Sequence, residues 1–125
     1  QPPPQPNLRA GKPVLPMPPL TPAGLLAAVA EVTPSRVQDF LRHLVEVSTS
    51  AQQVGSVAPL RSFVHIWAVY VAIQRYPARA ARLRHLEELV SAGVEDPTDA
   101  VGEIREIHTN AEAEAGLGPG RAAGP

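Results

Sequence analysis

The run Ser62–Pro77, SFVHIWAVYVAIQRYP, constrains this chain more than any other feature. It holds the only Trp, one of the two Phe and both Tyr. At helical spacing, Leu60, Val64, Trp67 and Val71 make one stripe, and Phe63, Ile66, Tyr70 and Ile73 make a second beside it. Arg61, His65, Ala68, Ala72 and Arg75 are left for a narrower polar or small face. A helix that is apolar over most of its circumference has to be buried. The run is also too short to span a bilayer, which takes about 20 apolar residues. Its β-branched and aromatic residues would suit a strand, but a stretch this long with no turn inside it reads as helix. It is expected to be the central element around which the rest of the chain packs.

The flanking sequence is punctuated as helices. Thr21 and Pro22 open a first helix, with Leu25, Val29 and Val32 on one face. Thr33 and Pro34 repeat the device for a second, in which Val37, Phe40, Leu41, Leu44 and Ala51 keep three/four spacing and Gly55 closes the helix. The third helix is expected from about Ser56, with Pro59 in its first turn, to about Arg75. Tyr76-Pro77 breaks it, because the residue before Pro avoids the helical region. Pro77 opens a fourth helix with Leu83, Leu86, Leu89 and Val90 inward, ended by Gly93. Asp96 and Pro97 open a fifth, with a narrow stripe of Ala100, Ile104, Ile107 and Ala111, ended by Gly116. No strand alternation or Asn-Gly hairpin signal occurs. The expected fold is an all-α bundle of four to five helices.

The 125 residues fit one domain. Residues 1–20 are crowded with Pro and residues 116–125 are Gly, Pro and Ala rich, so both read as disordered and residues 21–115 as the helical domain. Within the leader, PVLPMPP has the spacing of a polyproline II segment and reads as a stiff tether. A domain this small is helped by dimerisation. The chain does not open on Met, as expected of a trimmed or partial product.

The composition excludes several classes of chemistry. With no Cys there is no disulfide, thiolate catalyst or Cys-built zinc site. No transmembrane run or secretory signal is visible, and a cytoplasmic location is expected. His43, His65, His85 and His108 fall in different helices, none at metal-motif spacing from another ligand. Ser48, Ser50 and Ser56 lack the strained turn of a hydrolase nucleophile. Glu87-Glu88 and Glu95-Asp96 are adjacent, so on a helix they point apart rather than forming a carboxylate pair. No Gly-rich phosphate loop precedes a helix. No enzyme activity, cofactor or small-molecule substrate is expected.

Charge is unevenly spread. Nine acids and only Arg105 lie in residues 87–115, whereas the span 61–86 carries Arg61, Arg75, Arg79, Arg82 and Arg84 and no acid. Either the two regions face one another within the fold, or each marks a charged partner. Arg75, Arg79, Arg82 and Arg84 are the candidate basic patch for nucleic acid, although no recognition-helix pattern accompanies them. Trp67 is read as core, with an interface anchor as the alternative.

Lys occurs once and Arg ten times, alongside frequent Ala, Val, Pro and Gly, which suggests a GC-rich bacterial genome. The stretches PMPPLTPAGLLAAVAEVTPSRVQDFL and VAPLRSFVHIWAVYVAIQRYPARAARLRHLEE resemble an uncharacterised family of short helical proteins from high-GC bacteria. The similarity covers roughly residues 16–90. No catalytic residue comes with it. Some similar proteins are encoded near small toxin-like proteins, which implies an antitoxin-like or other accessory binding role. This chain departs from familiar antitoxins in having a Pro-rich leader where a DNA-binding element would stand.

The leading expectation is an interaction module, homodimeric or bound to another protein. Its candidate interface is Phe63, Ile66, Trp67, Tyr70 and Ile73, completed by the second molecule. The alternatives are a nucleic-acid binder using the arginine corner, and a regulatory protein whose acidic last helix detaches.

Overall fold

Thr21 begins the first helix by ordinary capping chemistry. Its backbone is extended, and Oγ1 accepts from the Gly24 amide at 3.0 Å, with Pro22 at the first helical position. The computed structural model describes residues 11–117. It places five helices there, α1 (Pro22–Val32), α2 (Val37–Val54), α3 (Ala58–Gln74), α4 (Pro77–Ser91) and α5 (Thr98–Glu114), and no strand. The expected all-α bundle is the observed fold. Residues 1–10 of the leader and 118–125 of the tail lie outside the described residues.

The Pro and Gly punctuation places most of the ends. Gly55 closes α2 in the left-handed conformation (φ 67°). Gly93 (φ 78°) ends α4, donating to the Val90 carbonyl at 3.1 Å while Val94 donates to Leu89, a Schellman pair. Two starts differ from expectation. The Thr33 side chain makes no cap hydrogen bond: Pro34–Arg36 form a 3-10 turn, and α2 begins only at Val37. The Thr33 hydroxyl lies instead 2.8 Å from the Tyr70 hydroxyl on α3. A tertiary contact has displaced a local cap. At α5 the helix begins at Thr98 rather than Pro97, and the Asp96 carboxylate accepts from the Thr98 amide at 3.1 Å.

The central run is buried by its own chain. α3 packs against each of the other four helices, with α1 and α2 forming one neighbouring pair and α4 and α5 the other. On the first side Leu25, Val29, Phe40, Phe63, Trp67 and Val71 form one core cluster. On the second, Val69, Ile73, Leu83, Leu86 and Ile107 form another. Of the face of α3 expected to be small or polar, Arg61 stays exposed and His65 half-buried, but Ala68, Ala72 and Arg75 are buried as well. Ala68 clusters with Ala115, and Ala72 with Ala111, where α5 docks. Two residues expected to face inward, Leu41 on α2 and Val90 on α4, are exposed.

The leader also joins the body sooner than its composition suggests. Leu15 and Met17 are partly buried against the core, and the Val14 amide donates to the Arg75 carbonyl at 2.7 Å. The packed structure therefore starts near residue 14 rather than at 21. At the other end it reaches Leu117, which packs on both clusters.

Candidate interaction surfaces

The expected interface set divides when placed in the fold. Phe40 of α2 is fully buried and meets Phe63 and Trp67 of α3 edge-on, with ring centroids 4.9 and 5.0 Å apart. This is the favoured arrangement of aromatic quadrupoles. Trp67 Nε1 donates to His43 Nδ1 at 2.9 Å, so the polar edge of the buried indole has a partner. The Arg36 guanidinium covers the Trp67 and Tyr70 rings at 5.2 and 5.0 Å. Phe63, Trp67 and Ile73 are thus core side chains, covered by this chain and not awaiting a partner. Tyr70 is partly buried, edge-on to Trp67. Ile66 alone of the five stands in solvent, 52% exposed.

The candidate basic patch also divides. Arg75 and Arg79 flank the α3–α4 corner and are buried. Glu114, at the end of α5, accepts from Arg75 Nη2 at 2.9 Å and from Arg79 Nη1 and Nη2 at 2.7 and 2.9 Å. Arg79 Nη2 also donates to the Ala72 carbonyl. Both guanidiniums lie over the Tyr76 ring, at 5.1 and 4.6 Å. Arg82 forks onto Glu103 with two bonds of 2.8 Å, and that hydrogen bond and the charge of Glu103 raise its pKa above the ordinary value. Arg84 is exposed. The four arginines are not one surface: three face acids of α5. The basic body and the acidic last helix are each other's partners. Of the two readings of the uneven charge, the structure shows the one in which the two regions face one another. The burial of Arg75 and Arg79 was not legible, because charged residues are rarely buried unless they are matched, and spacing along the chain says nothing about where α5 returns.

The remaining polar side chains do not converge. His65 lies 3.2 Å from Glu112, His43 serves Trp67, and His85 and His108 are exposed. Among the described residues no group of three His or acidic side chains could hold a metal ion. An open groove between the end of α2 and the start of α3 is lined by Ser48, Gln52, Ser56 and Leu60 among others, with no ionisable side chain. No helix of the described residues is long and apolar enough to cross a membrane.

The structure adds apolar side chains that periodicity had assigned elsewhere or left out. Leu41 and Val45, one turn apart on α2, are 37% and 65% exposed. Their spacing was visible, but the period of a helix does not say how wide a stripe its neighbours will cover. No family model matches the chain, and no curated protein or solved structure matches it.

Proposed function

We propose that this chain is a non-enzymatic interaction module. It docks another protein, or a second copy of itself, through Leu41 and Val45 of α2 and Ile66 of α3. The observation that carries this is the exposure of Val45 and Ile66, both more than half open to solvent, in a fold whose other large apolar α3 side chains are buried or half-buried. An exposed branched aliphatic side chain gains free energy when a partner removes it from water, about 25 cal/mol per Å² of apolar area. The non-enzymatic part is supported by the roles of the titratable groups. Arg75, Arg79, Arg82 and Glu114 hold helices together, and His43 satisfies a core indole. Steric occlusion of a small partner protein, the antitoxin-like role implied by the sequence resemblance, is one form that such docking takes.

The test is a pair of surface substitutions, Val45→Asp and Ile66→Asp, in the full chain. Both should leave the helical circular dichroism and the melting temperature close to wild type. Sedimentation velocity over a wide concentration range reads self-association, and affinity capture from the native cells reads a heterologous partner. Loss of whichever association the wild type shows supports the reading. Association unchanged in both variants would sink it.

A further inference from the structure

Residues 14–19 are too few and too rich in Pro to form an element, yet they are held at both ends. At one end the Val14 amide donates to the Arg75 carbonyl at 2.7 Å, one of the carbonyls that the end of α3 leaves without a helical partner. At the other, Pro19 lies against Gly24 in the first turn of α1. A Cβ at Gly24 would stand 2.5 Å from the Pro19 carbonyl oxygen and 3.2 Å from its Cβ and Cδ. That seat exists only because Gly24 has no side chain. Between the anchors, Leu15 packs on the first core cluster and Met17 on both, while Pro16 stays exposed. The contact therefore consists of one backbone hydrogen bond, two apolar anchors in alternation and a glycine-made seat for a proline. Extended peptides are recognised on other proteins by this combination of main-chain bonding and alternate side-chain pockets. Proline at 13, 16, 18 and 19 fixes φ in advance, so little chain entropy is lost on docking.

We propose that this face is a recognition site for a proline-rich extended segment of a partner protein, with an apolar-Pro-apolar-Pro pattern like Leu15–Pro18. The chain's own leader occupies it as an intramolecular competitor. The proposal uses none of Leu41, Val45 and Ile66, so it stands or falls independently of them. A tethered leader acts at an effective concentration of about a millimolar, which excludes a weakly binding free peptide until the leader lifts.

The test uses the full chain and a fluorescent synthetic peptide of residues 11–20, read by anisotropy. The double variant Leu15→Asp/Met17→Asp removes both anchors of the resident leader. It should bind the peptide saturably and at least about tenfold more tightly than wild type. The same peptide carrying Met17→Asp should not bind. A folded variant that binds no better than wild type overturns the proposal. So does a variant that loses its helical circular dichroism, since the leader would then be indispensable structure. Hydrogen exchange on the wild type gives a second reading. The Val14 amide should exchange by local opening, faster than the Val71 amide at the centre of α3. Exchange of both only through global unfolding would mean that the leader never lifts.

Discussion

Phe40 and Ile66 show how little hydropathy alone decides at the scale of a residue. Phe40 has no exposed surface and touches two aromatic rings; Ile66 is as apolar and stands half in solvent. Phe40→Ala removes the ring around which the α2–α3 contact is built. It should cost about 3–5 kcal/mol. That is a large part of the roughly 5–15 kcal/mol that holds a typical domain together. Ile66→Ala should stay within about 0.5 kcal/mol of wild type. Urea denaturation followed by the fluorescence of Trp67, the only Trp, compares the two on one probe. A large loss from Ile66→Ala would mean that its side chain is covered in solution, and would point to self-association. The core position of Trp67 was legible in its stripe. The burial of Arg75 was not, because it depends on a carboxylate 39 positions away in the chain.

Elements begin and end where local chemistry is strong, and the sequence is informative there for that reason. Pro22, Pro77, Gly55 and Gly93 act through their own dihedral angles, whatever surrounds them. Thr33 was misread because its hydroxyl had two possible partners, a nearby amide or the distant Tyr70, and only the folded chain shows which one prevails. Likewise Ala68 and Ala72 carry no hydropathic signal strong enough to reveal that α5 lies on them. Asp96 is a local case with a pH signature. Its hydrogen bonds with Thr98, through side chain and backbone, lower its carboxyl pKa below the ordinary value. The folded chain therefore binds fewer protons there than the unfolded chain does. The resulting stabilisation is complete above the unfolded carboxyl pKa and is lost as pH falls through the depressed folded value. Asp96→Ala should thus melt below wild type at neutral pH, with the gap closing as the solution is made acidic. Thermal melts across that range check it, and a gap that persisted or widened in acid would show that Asp96 acts by some means other than its charge.

For the whole molecule the question is what returns α5 to the bundle. Its apolar stripe is narrow: Ile107 and Ala111 are its only buried residues, Ala100 and Ile104 pack on the core half-buried, and ionic contacts supplement them. The ionic contacts are not equivalent. Arg82 and Glu103 meet at the surface, where water and salt screen them and side-chain ordering offsets most of the gain. Glu114 holds two guanidiniums that are themselves buried, so removing it leaves two like charges facing each other with little solvent. Breaking a buried pair from one side is costly for that reason, on the order of 3–5 kcal/mol. Glu114→Ala should therefore loosen α5 far more than Glu103→Ala, although both delete one carboxylate from the same helix. Hydrogen exchange read helix by helix distinguishes local from global effects. In Glu114→Ala the α5 amides should lose protection while those of α1 and α2, which share no contact with α5, keep theirs. Equal effects from the two substitutions would mean that overall charge balance, not the buried corner, holds the acidic helix. If instead protection fell evenly throughout Glu114→Ala, the five helices would be one cooperative unit, and α5 could not detach by itself to meet a basic partner.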